Sequence, residues 1–162
     1  METVSKQLSG KYGIGKEVLL SKDDYEKVKH KSLCVLQSGY VMIYDDGKMK
    51  YLHRWLFGLE TGDESHVDHK NGNKLDCTRD NIRVGSRSDN MCNRKKGCVG
   101  GFKPSSKYKG VTKVGNRYYS KIKKDGIQYY LGCFEIENEA AQAYNNKAIE
   151  LHQNFAVLNI IK

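Results

Sequence analysis

No run of about eighteen apolar residues occurs anywhere in this chain, so no segment reads as a membrane-spanning helix. The opening METVSKQLSGKYGIGKEVLL holds no apolar stretch of signal-peptide length, and secretion is not expected. Cysteine supplies no framework. Cys34, Cys77, Cys92, Cys98 and Cys133 are odd in number and irregularly spaced, and none forms a C-x-x-C pair. That set argues for reduced thiols in a cytoplasmic protein, against a disulfide scaffold and against a structural zinc knot. Proline is nearly missing, with Pro104 alone in 162 residues. Apolar residues make up 38% and charged residues 29%, so a modest core under a heavily charged surface is expected. The length fits one ordinary domain or two to three small ones.

What the chain has in excess is positive charge. The formal net charge is +9, which favours a polyanionic partner, nucleic acid ahead of a membrane surface. A basic surface kept for solubility is the plain alternative. The excess is uneven: residues 1–50, 51–97 and 98–162 carry +2, +2 and +5. Between Lys103 and Lys124 there are eight basic residues and no acidic one.

Taken in order, residues 1–15 are polar and glycine-containing and read as frayed. Val18 to Leu20 suits a short buried strand, and Ser21 caps a helix over 22–29 with Asp23, Asp24 and Glu26 near its N-terminus. Leu33 to Leu36 and Tyr40 to Tyr44 flank a Ser-Gly turn and read as a hairpin, with a further strand after Asp46-Gly47. Leu52 to Gly58 reads as a short helix. Val67 to Lys70, a tight turn at Asn71-Gly72, a strand over 82–84 and a helix from Ser86 or Ser88 follow. Residues 95–106 hold three glycines, two serines and the proline, and read as a linker. Beyond it, strands at 110–114, 118–123 and 127–134 form an antiparallel meander, and a helix runs from about 138 to 152 with an alanine-rich side.

The stretch from Val67 to Asn93 concentrates the chemistry: a carboxylate, an imidazole and several amides in under thirty residues. Asp68 is a hard oxygen donor suited to Mg²⁺. His69 can act as a base. On a regular strand their side chains point to opposite faces, and a twist or bulge would be needed to bring the groups together. Asn90 can offer an amide oxygen as a second ligand, with Asn93 as its competitor, and Asn81 can bridge the loop that holds His69. His53 is expected to be packed and His66 to lie on the surface. Arg83, Arg87, Arg94, Lys95 and Lys96 either grip phosphates or form a solvated basic face.

Val-Asp-His-Lys-Asn-Gly-Asn-Lys-Leu-Asp, then Asp-Asn-Ile-Arg, then Ser-Asp-Asn-Met-Cys-Asn-Arg, resembles the HNH homing endonucleases of phages and group I introns. The upstream Leu52-His53-Arg54 resembles the same family. The resemblance implies a ββα-metal finger that hydrolyses phosphodiester bonds in duplex DNA. It implies Asp68 and Asn90 as metal ligands, His69 as general base and Asn81 as its orienting residue. The metal would be Mg²⁺, with Mn²⁺ as the alternative and no structural zinc. Cys77 stands where many relatives have Asn after the Leu-Asp pair, which weakens one loop hydrogen bond and does not touch the implied catalytic set.

In the last third, Ser-Lys-Tyr-Lys-Gly-Val-Thr, Tyr-Tyr-Ser-Lys-Ile, Tyr-Leu-Gly-Cys-Phe and Glu-Ala-Ala-Gln-Ala-Tyr-Asn are similar to the ethylene-response-factor (APETALA) DNA-binding domain. By strand alternation, Arg117, Tyr119, Lys121 and Lys123 share one face, and Tyr118, Ser120 and Ile122 share the other. The resemblance adds Lys109, Thr112, Gln128 and Tyr130 as DNA contacts, beside Arg83 and Arg94 from the finger. Lysines and tyrosines in place of arginines and tryptophans favour phosphate contacts over guanine reading.

The expected architecture is α+β: a ββα-metal HNH finger (51–96) on a β-rich N-terminal support (1–50), a linker (97–104), and a three-stranded antiparallel sheet packed on one helix (105–162). The expected partner is double-stranded DNA, without a membrane, in the cytoplasm of a phage-infected or bacterial cell. A monomer is expected, with a dimer as the alternative. The rival functions are a sequence-specific DNA-binding regulator with a non-catalytic HNH scaffold and, more distantly, an RNA-binding protein.

Overall fold

The structure is a computed structural model; it describes residues 2–92 and 103–162, with only the backbone of Cys92. It divides into two compact units, Met1–Arg87 and Ser88–Lys162. Both are mixed α+β, the class expected. No described helix is long and apolar enough to cross a membrane.

In the first unit, β1 (Thr3–Gln7) and β2 (Glu17–Ser21) are followed by α1 (Lys22–Val28). Residues 3–7 are therefore a paired strand, which corrects the expectation of a frayed start. β1 lies along the edge of β2 from Thr3 opposite Ser21 to Gln7 opposite Glu17. An edge strand needs little apolar content, because its backbone pairing holds it. A hairpin of β3 (Leu33–Val35) and β4 (Val41–Asp45) is extended by β5 (Lys48–Tyr51). Then come α2 (Leu52–Trp55), β6 (His66–His69), the two-residue β7 (Asp76–Cys77) and β8 (Ile82–Gly85). β6 and β8 pair antiparallel, while β7 joins β2 in parallel through Leu19–Asp76 and Leu20–Cys77.

One core serves the whole unit. Val18, Leu20, Val28, Leu33, Val41, Ile43 and Leu52 from the support pack in one cluster with Val67, Cys77 and Ile82 from the central stretch. Arg79 fastens the loop between β7 and β8 to this core. Its Nε and Nη2 donate to Asp24 at 2.5 and 2.9 Å, Nη2 also donates to the Leu56 carbonyl at 2.6 Å, and its backbone N–H donates to Ser21 Oγ at 2.9 Å. Burial pushes the Asp24 pKa up, but the hydrogen bonds and charges of Arg79 and Lys27 outweigh it and hold the carboxyl below its usual range.

The second unit opens within α3 (Arg87–Cys92) and continues with β9 (Val111–Val114), β10 (Arg117–Lys124), β11 (Ile127–Phe134) and α4 (Glu137–His152). The sheet order is β11-β10-β9, all antiparallel. Ala140, Ala141, Tyr144 and Ala148 are buried between α4 and the sheet. Small side chains let the helix lie close, and Gly110 shows how close. A Cβ there would sit 2.0 Å from the Tyr144 ring, and its φ of 73° is one that side chains rarely adopt. Asn145 and Asn159 exchange two hydrogen bonds, and Asn159 in turn brackets the backbone of Lys109. α3 is tied to the β10–β11 turn: Lys124 meets Asp89 at 2.7 Å and the Asp125 N–H donates to Ser88 Oγ at 3.1 Å.

Candidate active site

The site begins with the β6–β8 pair. Its ladder runs residue for residue from His66 opposite Gly85 to His69 opposite Ile82, with no bulge. Asp68 and His69 therefore leave β6 on opposite faces, as plain alternation requires, and they meet different partners. Asp68 is 8% exposed and lies opposite Arg83, whose Nη2 and Nε both donate to Asp68 Oδ2, at 2.9 and 3.2 Å. His69 is 5% exposed. Its Nε2 lies 3.8 Å from Cys77 Sγ, and its ring sits 5.1 Å from that of His53, edge to face.

Burial lowers the pKa of both histidines. For His69 the Asp68 and Asp76 carboxylates oppose this in part. Burial, with the neighbouring His69 and Arg54, pushes His53 down to about 3. Cys77 is pushed up to about 12 by burial and stays a thiol.

Asn81 holds the loop in the way a bridging amide should. Its Oδ1 accepts the Asn71 N–H at 3.0 Å and its Nδ2 donates to the Asp76 carbonyl at 2.7 Å. The Lys70 N–H reaches the Asn81 carbonyl at 2.9 Å, and Gly72, at φ 74°, turns its N–H back to the His69 carbonyl at 2.9 Å. The chain is thus pinned directly after His69. Asn71 and Asn73 add side-chain turns of their own, accepting the N–H groups of Asn73 and Leu75.

The Leu-His-Arg stretch divides its work. Leu52 is fully buried, His53 packs against His69, and Arg54 gathers the loop before β6 by donating to the carbonyls of Ser65 and Glu60, both at 2.7 Å. Tyr40, which no sequence pattern marked, completes the surroundings of the two histidines, 5.3 Å from His53 and 6.3 Å from His69 between ring centres. Lys74 lies over its ring at 4.1 Å.

A family model described as HNH endonuclease matches residues 50–92, the segment that carries this geometry. Over 154 residues the chain is also 34% identical to an uncharacterized HNH endonuclease of Acanthamoeba polyphaga mimivirus, covering 92% of this chain and 78% of that protein. The chain belongs to the HNH endonuclease family. It is a DNA nuclease, a hydrolase of phosphodiester bonds.

HNH nucleases generally use a divalent metal. Among the described residues, no three His, Cys, Asp or Glu side chains cluster in a way that could hold a metal. Asp68 offers a carboxylate oxygen on β6, and Asn90, half-buried on α3 in the second unit, offers an amide oxygen. Both are hard oxygen ligands, and that chemistry fits Mg²⁺ or Mn²⁺. Asn93, Arg94, Lys95 and Lys96, like most of the 97–104 linker, lie outside the described residues.

In the second unit, the alternation of β10 places Arg117, Tyr119, Lys121 and Lys123 outward, with Ser120 and Ile122 buried. Register brings Thr112 beside Tyr119, Tyr130 beside Lys121 and Gln128 beside Lys123 on the same exposed face. Lys109 is half-buried off the strands, and Arg117 meets Glu135 at 3.1 Å. Arg83 is found on Asp68, a partner that the sequence did not suggest.

Proposed function

We propose that this HNH endonuclease is a metal-dependent, homing-type enzyme that cuts duplex DNA held by its C-terminal sheet, which we read as an ethylene-response-factor (APETALA)-like module. The observation that carries the reading is a buried His69, its pKa lowered by burial, in a loop closed by Asn81. A neutral imidazole can take a proton; a charged one cannot.

In this reading Asp68 and Asn90 are the residues that would hold Mg²⁺ through oxygen atoms. When bound, the cation would polarise the phosphate and stabilise the departing 3′-oxygen. His69 accepts a proton from water as the water oxygen attacks phosphorus in line and the P–O3′ bond breaks. Asn81 keeps the loop, and with it His69, in place. The exposed face of Thr112, Arg117, Tyr119, Lys121, Lys123, Gln128 and Tyr130 supplies the grip on DNA, with Lys109 at its margin. Lysine and tyrosine on a flat sheet favour backbone contacts, so sequence preference is modest.

The test uses supercoiled plasmid with candidate sites, with and without Mg²⁺ or Mn²⁺. Wild type cuts only with metal, and Asp68→Ala and His69→Ala each reduce the rate by about 10²- to 10⁴-fold. If wild type never cuts on a bound target, the regulator with a non-catalytic finger takes the place of this reading. If His69→Ala still cuts at the wild-type rate, the base is another group.

A further inference from the structure

We infer that Arg83 is a resident competitor for the metal at Asp68, and that it is drawn off by an arriving DNA phosphodiester. The inference rests on the assignment of Asp68 as a metal ligand. Arg83 and Asp68 face each other across β8 and β6, with side chains 12% and 9% exposed. Arg83 directs Nη2 and Nε to the same carboxylate oxygen, Oδ2. A guanidinium does not lose its proton in a protein, so no ordinary pH change removes this charge. A divalent cation on the same carboxylate would meet that fixed positive charge at close range, in a setting where water screens it poorly. Metal affinity at Asp68 is therefore held down while the guanidinium stays.

A phosphodiester changes this balance. Phosphate oxygens accept the guanidinium fork as readily as a carboxylate does. His66 and Gly85 share that strand face with Asp68 and Arg83, and both line a surface cleft together with Glu64, Ser65, Val84, Ser86 and Arg87. Gly85 contributes no side chain to fill it. As Arg83 turns to the DNA backbone, Asp68 is released to the cation. Binding free energies are reciprocal, so phosphate tightens the metal and metal tightens the phosphate. The consequence is an enzyme that loads its metal on DNA and binds it weakly elsewhere.

The test measures Mn²⁺ binding to the full chain by electron paramagnetic resonance, for wild type, Arg83→Gln and Asp68→Asn, with and without a duplex oligonucleotide and against a DNA-only blank. Without DNA, Arg83→Gln is expected to bind Mn²⁺ about tenfold tighter than wild type, within the ordinary range for coupled sites. Duplex DNA should tighten Mn²⁺ binding in wild type and much less in Arg83→Gln. Equal Mn²⁺ affinity for wild type and Arg83→Gln, with Asp68→Asn binding none, overturns the role of Arg83 and leaves the metal assignment standing. Undiminished Mn²⁺ binding in Asp68→Asn overturns the assignment itself. Should Arg83→Gln not fold, wild type serves: the ¹⁵N signal of Arg83 Nε must shift on Mg²⁺ addition, and a signal that stays in place at saturating Mg²⁺ overturns the inference.

Discussion

The two units differ in where their polar side chains lie. In the first, Asp24, Asp68, His53, His69 and Asn81 are all under 10% exposed and each meets a neighbouring side chain or backbone group. The second keeps Arg117, Lys121 and Lys123 on the exposed face of its sheet and packs the alanines of α4 against the other. The difference follows from the tasks proposed for them. A proton acceptor and a metal ligand need fixed positions, and burial with satisfied hydrogen bonds fixes them. A grip on phosphates works through charge at a distance and tolerates movement, so exposed lysines on a sheet suffice.

The comparison can be broken hardest at Arg79. Removing it leaves Asp24 buried without its strongest partner, and losing one half of such a pair costs about 3–5 kcal/mol. Urea unfolding of Arg79→Ala should show that loss in the first unit, together with loss of cleavage, while the second unit melts as before. A loss below about 1 kcal/mol would place the pair among ordinary surface bridges.

In the second unit the equivalent strike is Gly110→Ala. The added methyl collides with the Tyr144 ring and the backbone is strained at positive φ. A destabilisation of about 2–4 kcal/mol is expected from the two effects together. Binding to duplex DNA should fail at temperatures where the variant unit has melted, while the first unit keeps its own transition.

Acid sharpens the contrast. The folded-state pKa of His53 is lowered to about 3, so the unfolded chain binds its proton first as pH falls below the ordinary histidine value of about 6.5. Stability from this group is complete above that value and declines by about 1.4 kcal/mol for each pH unit down to the folded pKa. His53→Phe should flatten that decline in pH-dependent melts of the first unit. An identical slope in wild type and His53→Phe would show that His53 is charged in the folded state. The smallest effect belongs to the exposed face: Lys121→Ala and Lys123→Ala should each lower the slope of log affinity against log salt by about one. A slope equal to wild type removes that lysine from the interface.

Much of this architecture was legible because it is local. The hairpin around Gly39, the meander with its turns at Gly115-Asn116 and Asp125-Gly126, and the alanine-rich α4 all announce themselves by alternation, turn residues or helical spacing. The spacing of Asp68, His69 and Asn81 singled out one stretch, and the structure places the first two on β6 and Asn81 in the loop just before β8. The contacts that secure it were not legible, because their partners are distant in sequence. Arg79 is 55 residues from Asp24, and Arg83 is 15 from Asp68. The one local hint was Asp24 itself, a carboxylate four residues before Val28 and hence on the buried side of α1. β1 was missed because an edge strand of Thr-Val-Ser-Lys-Gln carries almost no hydrophobic signal. β7 was missed because two residues are too few to show a pattern.

That two-residue strand has a consequence for how the protein is made. The family match spans 50–92, yet within it Asp76 and Cys77 pair with Leu19 and Leu20, which precede the match by some thirty residues. On the ribosome the support is synthesised first and can be waiting, its β2 edge open, when the loop carrying β7 emerges. A gene fragment that starts at residue 50 would release a loop with nothing to dock on, and transplanting this nuclease into another protein means carrying its first fifty residues along.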